Sequence, residues 1–129
     1  MTARTPRPGT PVRGSATGRP MMAALDLFGR RWSLRILWEL RAGPLGFRAL
    51  QEHCDNASSS VLRQRLLELL DAALVAQEPG SRYALTPLGL RACEALLPLA
   101  DWAEHWAAAL EEDPEGTDGR AEGRTDGRA

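Results

Sequence analysis

Long apolar runs are missing from this 129-residue sequence. That excludes a membrane-spanning helix, which needs about 20 consecutive apolar residues. No basic stretch leads into an apolar one near the start, so no secretory signal is expected. Cysteine is scarce: Cys54 and Cys93 are the only two and lie far apart in the chain. That excludes the disulfide framework of a small secreted domain and makes a cytoplasmic protein with reduced thiols the expectation. Lysine is wholly absent, all 16 basic residues being arginine, a choice that carries no functional weight. Catalytic signatures are absent as well. There is no GxSxG, no glycine loop to cradle a phosphate and no isolated carboxylate pair, and Gly43-Pro44-Leu45-Gly46 reads as a turn. The soft ligands His53, Cys54, Cys93 and His105 show neither CxxC nor HxxxH spacing. No enzyme, metal or cofactor is therefore expected.

What is present is 43% hydrophobic and 26% charged, the composition of an ordinary globular domain, and the length suits one. The net charge of −1 conceals a segregation. Residues 1–20 carry four Arg and no acid, residues 21–110 nine Arg against ten acids, and residues 111–129 three Arg against seven acids. Within the middle block, residues 30–65 hold seven Arg against three acids, a local basic patch in an otherwise acidic domain. Residues 1–20 are rich in Pro and Gly with almost no large apolar side chain, and are expected to be disordered. Residues 113–129 repeat Thr-Asp-Gly-Arg-Ala and are expected to form an acidic, Gly-rich solvated tail. The folded unit is then 21–112.

Apolar periodicity predicts a first helix over 22–28, stopped by Gly29, and a second over 32–42 carrying Trp32, Ile36, Leu37 and Leu40. Gly43-Pro44 ends the second. A third, Phe47 to Cys54, puts Phe47, Leu50 and Cys54 on one face, and Asp55-Asn56-Ala57 follows as a turn in which Asn56 tolerates a left-handed backbone. Ser58 is the best N-cap for a fourth helix, whose buried stripe is Leu62, Leu66, Leu69, Leu70 and Ala73. Ser60, Gln64, Leu67 and Asp71 point the other way, with Arg63 and Arg65 on the flanks. Leu74–Glu78 and Arg82–Leu85 flank the hairpin signal Pro79-Gly80-Ser81. Thr86-Pro87 opens a last helix reaching about Glu112, which Pro98 should kink or split. Its apolar stripe, with Leu96, Leu99, Trp102, Ala103, Trp106 and Leu110, is too wide for one contact with a small domain, so a second copy of the chain is the expected cover.

Helix, helix, helix, turn, helix, hairpin and long helix is the order of a winged helix-turn-helix: mainly α, with a small β-hairpin wing and a long C-terminal dimerisation helix. A helix fits the major groove of DNA with its N-terminal turn toward the base edges. In the fourth helix that turn offers Ser59, Ser60, Arg63 and Gln64: short donors and acceptors, an Arg suited to guanine and a Gln suited to adenine.

One ordered set of segments adds a resemblance. It begins with Ala24-Leu25-Asp26-Leu27-Phe28-Gly29-Arg30-Arg31-Trp32-Ser33, then Ile36-Leu37, Leu40, Gly43-Pro44 and Phe47-Arg48-Ala49-Leu50. Ser58, Leu62-Arg63-Gln64-Arg65-Leu66, Leu69, Leu74-Val75, Tyr83-Ala84-Leu85-Thr86, Leu88-Gly89, Leu99 and Trp102 follow. Over about residues 20–108 the chain resembles the HxlR-type winged-helix regulators of bacteria. The resemblance implies a DNA-binding transcriptional regulator that dimerises through its C-terminal helix. The chain departs from the family in two places. Its wing is short, leaving Arg82 as the candidate for a minor-groove contact. Where many members carry a Cys before the Pro that opens the first helix, this chain has Arg19, so thiol-based sensing does not transfer through that position.

Other residues have two readings each. Arg65 is as well placed for a salt bridge to Glu52 or Glu68 as for a phosphate. Arg48 begins the helix that crosses the DNA backbone in this motif. Arg30 and Arg31 lie between helices, suited to a phosphate or to ion pairing. Cys54 and Cys93 fall on apolar faces and read as small buried hydrophobes. His105 reads as a surface or interface residue. Trp102 and Trp106 suit a dimer core or, alternatively, a flat ligand wedged between them. The reading is a homodimeric, sequence-specific regulator on an inverted-repeat operator. Its DNA contacts are Ser59, Ser60, Arg63, Gln64, Arg65, Arg48, Arg31 and Arg82, and its dimer contacts are Leu25 on the first helix and the last-helix stripe. A small-molecule effector is a further candidate partner. The alternative is a winged-helix protein-interaction module that never touches DNA.

Overall fold

The computed structural model describes residues 5–112. The chain divides into two compact units between Glu94 and Ala95, where the sequence suggested one over 21–112. The acidic tail expected over 113–129 lies outside the described residues.

The first unit holds α1 (Pro20–Phe28), α2 (Ser33–Leu40), β1 (Leu45–Gly46), α3 (Phe47–His53), α4 (Ser59–Asp71), β2 (Val75–Glu78), β3 (Arg82–Leu85) and the start of α5 (Pro87–Glu112). Pro20 opens α1 because its missing N–H is no loss in a first turn. Leu27, Ile36, Leu37, Leu40, Leu50, Leu62, Leu66 and Leu69 are buried together, so α2, α3 and α4 converge on one leucine-rich core.

The turn between α3 and α4 places both Asp55 (φ 56°) and Asn56 (φ 58°) in the left-handed region. Gln51 closes it: its amide donates to the Ala57 carbonyl at 2.9 Å and to Ser59 Oγ at 3.0 Å. Ser58 caps α4, its hydroxyl accepting from the Val61 amide. The helix ends sooner than the stripe suggested. Ala73 is left-handed (φ 66°) and exposed, so it does not belong to the buried face. The Ala73 and Leu74 amides donate back to the Leu70 and Leu69 carbonyls, a Schellman ending.

The sheet is antiparallel in the order β1-β3-β2, with Leu45 opposite Tyr83 and Gly46 opposite Arg82. Strand β1 was not expected, because two residues carry no alternation and are extended only through pairing with β3. Thr86 caps α5, accepting from the Gly89 amide at 3.0 Å while its hydroxyl donates to the Ala73 carbonyl at 2.7 Å. Gly89 is required there, since a Cβ would meet the Leu74 carbonyl oxygen at 2.1 Å. Pro98 does not split α5, which runs unbroken to Glu112. Pro98 has no amide to donate to the Glu94 carbonyl, and Glu94 is exposed.

Residues 5–19, expected to be disordered, form hydrogen-bonded turns instead. The Gly9 amide donates to the Gly18 carbonyl at 2.8 Å, Val12 and Ser15 form a bridge, and the Arg13 amide donates to Asp26 Oδ2 on α1 at 3.0 Å. Prolines with fixed φ lower the entropy lost on ordering, and glycines take the positive-φ positions of these turns without steric strain, effects that composition alone hides.

A polar cluster ties α2 to the end of α3. Arg35 Nε pairs with Glu39 Oε2 at 2.8 Å, Arg35 Nη2 donates to the His53 carbonyl at 2.6 Å, and His53 Nδ1 lies 2.9 Å from Glu39 Oε1. The hydrogen bond from His53, helped by Arg35 and opposed by burial, holds the Glu39 carboxyl below its ordinary range. A carboxyl lowered on folding contributes stability above its unfolded pKa, and the contribution is lost as pH falls through the folded one. Glu39→Gln is therefore expected to cost about 0.5–1 kcal/mol in urea unfolding at neutral pH. The deficit should shrink toward zero as pH falls below the carboxylate range; a deficit constant with pH would show that the ion pair is not its source.

Candidate nucleic-acid interface

Helix α4 has one face of buried leucine, so its remaining residues divide between solvent and the flanking segments. Ser59, Ser60 and Arg63 are exposed at its start. The Ser60 hydroxyl lies 3.1 Å from that of Ser58, and the Ser59 hydroxyl accepts from Gln51. The Arg63 guanidinium stands 4.3 Å over the Phe47 ring, a cation–π contact that holds the charge while leaving its edge free to donate. Phe47 is followed by the exposed Arg48 and preceded by Gly46, which pairs with Arg82. The fold thus gathers Arg63, Arg48 and Arg82 around the start of α3, although they lie far apart in sequence. Arg82 also sits 3.6 Å from Glu78 across the wing turn. Arg31 is exposed and lies 5.7 Å from the Trp32 ring.

Gln64 is placed differently from the outward reading, and Arg65 takes the salt bridge that was one of its two readings. Both are engaged by Glu68, which is only 3% exposed. Gln64 Nε2 donates to Glu68 Oε2 at 3.0 Å, and Arg65 Nη1 reaches both carboxylate oxygens at 3.1 and 3.0 Å. Arg65 Nε donates to the Arg31 carbonyl at 2.9 Å, and Arg30 Nη1 pairs with Glu68 Oε2 at 3.0 Å. Of the acids considered for Arg65, Glu68 is the partner and Glu52 is not. A buried carboxylate needs such partners because an unpaired charge out of water is costly. The three- and four-residue spacings from Arg65 and Gln64 to Glu68 were visible in the sequence. Arg30, which completes the cage from another segment, was not visible as a partner. Gln51 likewise escaped notice; its place in the last turn before the Asp55-Asn56 bend was the only signal.

The candidate dimer residues are exposed on their own elements. Leu25 on α1 is exposed. On α5 beyond Glu94, Leu99, Trp102, Ala103, Trp106 and Leu110 are exposed and Leu96 half-buried. The Trp102 and Trp106 rings stack at 5.3 Å, so there is no gap between them for a flat ligand. His105 is exposed. Cys54 and Cys93 are buried, and burial raises both thiol pKa values, the opposite of a reactive thiol's environment.

Residues 27–111 match the model of the HxlR-like helix-turn-helix family. This chain belongs to that family. The HxlR-like match runs from the end of α1 through nearly all of α5, leaving residues 5–26 ahead of it. Among similar proteins, an uncharacterized HTH-type transcriptional regulator of Methanocaldococcus jannaschii is 29% identical over 92 residues, 68% of this chain and 86% of that protein. The uncharacterized HTH-type transcriptional regulator YtfH of Escherichia coli K12 is 34% identical over 91 residues, 66% of this chain and 72% of YtfH. The crystal structure of quinone-bound YodB from B. subtilis superposes with a TM-score of 0.62 at 29% identity, covering 66% of this chain and 94% of that one. The protein is a winged-helix transcriptional regulator of the HxlR type, with α3 and α4 as its helix-turn-helix and β2–β3 as its wing. Among the described residues no helix is long and apolar enough to cross a membrane.

Proposed function

We propose that the protein binds double-stranded DNA sequence-specifically as a homodimer and so regulates transcription in the cytoplasm of a bacterium. The observation that carries this reading is the exposed first turn of α4, with Ser59, Ser60 and Arg63 at the surface of a helix whose other side is packed leucine. Two copies related by a two-fold axis would present this turn to successive major grooves about 34 Å apart, so the site is an inverted repeat. Arg63 reads a base edge, while Arg48 and Arg82 meet phosphates on either side. Arg31 is a further phosphate contact. Gln64 and Arg65 act mainly by shaping the helix, since Glu68 engages both side chains. The pairing surface is Leu96, Leu99, Trp102, Ala103, Trp106 and Leu110 of α5, with Leu25 of α1.

A small-molecule effector belongs to the same reading. The quinone-bound state of YodB supports effector control within the fold. Arg19 before Pro20 and two buried thiols argue against a cysteine as the sensor here.

Arg63→Ala should cost about 1–3 kcal/mol on the cognate site and relax preference at one base position, read by gel shift against a panel of single-base variants. Equal loss on random DNA would show that Arg63 does not read sequence. The alternative, a protein-interaction module without DNA, is favoured by one observation: Arg65, an expected contact, is bound inside the protein. Salt separates the two, because counterion release makes log K for DNA fall by about 0.9 per phosphate contact for each unit of log salt.

A further inference from the structure

The first unit contains a cavity of about 550 Å³ that the DNA reading does not use. Its volume lies within the range of small-molecule sites, about 300–1,000 Å³. Ala23 and Leu27 of α1 and Leu74 form a buried apolar floor, with Phe28 half-buried beside them. The N-terminal turns supply the opposite wall through Pro6, which is buried, and Pro8.

Among the described residues the charged members of the lining are Arg7, from those turns, and Arg91, from the start of α5. No acid among the described residues lines the cavity. Among the described residues neither guanidinium has a carboxylate within ion-pair distance. Two uncompensated guanidiniums at an apolar cavity favour a ligand that is apolar in its body and anionic at one end. We infer that this cavity binds a small hydrophobic carboxylate.

The energetics are consistent. The ligand body would leave water against alanine, leucine, phenylalanine and proline, which supplies the non-directional part of the affinity. Arg7 and Arg91 are both exposed, so the carboxylate would be met while still partly hydrated and would escape the full cost of burying an ion. A guanidinium can engage both carboxylate oxygens through a planar pair of donors, which a neutral amide cannot match. The wall that holds Arg7 is itself built. The Arg13 amide on Asp26 and the Gly9–Gly18 hydrogen bond fix those turns against α1. Residues 5–26 precede the part of the chain that matches the family model, so Arg7 and its wall lie outside the family's shared frame.

The inference stands apart from DNA binding, and its test reads the ligand directly. The full chain is titrated by calorimetry with 2-naphthoate and with 2-naphthamide, its neutral counterpart. Saturable binding of one naphthoate per chain is expected, with the amide weaker by about tenfold or more. Arg91→Met, which keeps an apolar stem, should weaken naphthoate about tenfold and leave the amide unchanged. Ala24→Phe, on α1 in the cavity wall, should abolish both; if that variant does not fold, the Arg91→Met comparison alone decides. No binding by the folded full chain overturns the inference, including the case where a second copy fills the cavity. Equal affinity for acid and amide, or indifference to Arg91→Met, overturns it as well. Failure of the protein to shift DNA would leave these outcomes untouched.

Discussion

Glu68→Leu should destabilise the first unit by about 2–4 kcal/mol in urea unfolding, among the largest effects of any single substitution outside the leucine core. The carboxylate is 3% exposed and receives Arg30, Arg65 and Gln64 at 3.0–3.1 Å. Removing it leaves two guanidiniums facing each other over an apolar side chain. The full cost of orphaning a buried ion, about 3–5 kcal/mol, is reduced because both arginines are 19% exposed and can turn partly toward water. Arg65 also keeps the Arg31 carbonyl. A double-mutant cycle tests the assignment: Arg65→Met should lose less stability in the Glu68→Leu background than in the wild type, by about 1 kcal/mol or more. Additive effects, or a loss below about 0.5 kcal/mol for Glu68→Leu, would show that the cage contributes little. DNA binding by this variant is informative too. Gln64 would be released toward solvent and Arg65 left with the Arg31 carbonyl alone, so on the proposed DNA site base preference should change rather than merely weaken.

Truncating the stacked pair on α5 should dissociate the proposed dimer. Trp102 and Trp106, stacked on each other, are 55% and 54% exposed, large aromatic surfaces on α5. Buried aromatic anchors at interfaces carry about 2–4 kcal/mol each, so Trp106→Ala should raise the dimer dissociation constant by roughly 30- to 1,000-fold. Trp102→Ala should act similarly, and the pair should act less than additively because the rings touch at 5.3 Å. Analytical ultracentrifugation gives the mass and gel shift the consequence, a loss of tight binding to an inverted repeat but not to a half-site. The core of the first unit contains no residue beyond Cys93, so its intrinsic folding should be unaffected. A variant that stays dimeric would remove α5 as the pairing surface.

Much of the fold was legible because its signals are local. Gly43-Pro44 stops α2, Asp55-Asn56 supplies two left-handed residues, Ser58 and Thr86 cap the helices that follow them, and Pro79-Gly80-Ser81 turns the hairpin. Each acts through backbone geometry within a few residues. Where the expectation and the structure part, a distant partner is responsible. Strand β1 exists because β3 pairs with it. The N-terminal turns are held by Asp26, outside their own composition.

The same division runs through the candidate interface. The period of 3.6 residues was enough to put leucine on one side of α4 and Ser59, Ser60 and Arg63 on the other, since a side chain's direction on a helix follows from its position. It was not enough to assign Gln64 and Arg65. Those two lie at the border, where direction is settled by whatever stands opposite. Arg30, brought from the loop after α1, turns Glu68 into a buried acceptor that draws both inward. Periodicity describes one helix against an unspecified interior. The fate of a border charge depends on the neighbour that folding brings across from it, and that neighbour is encoded 38 residues away.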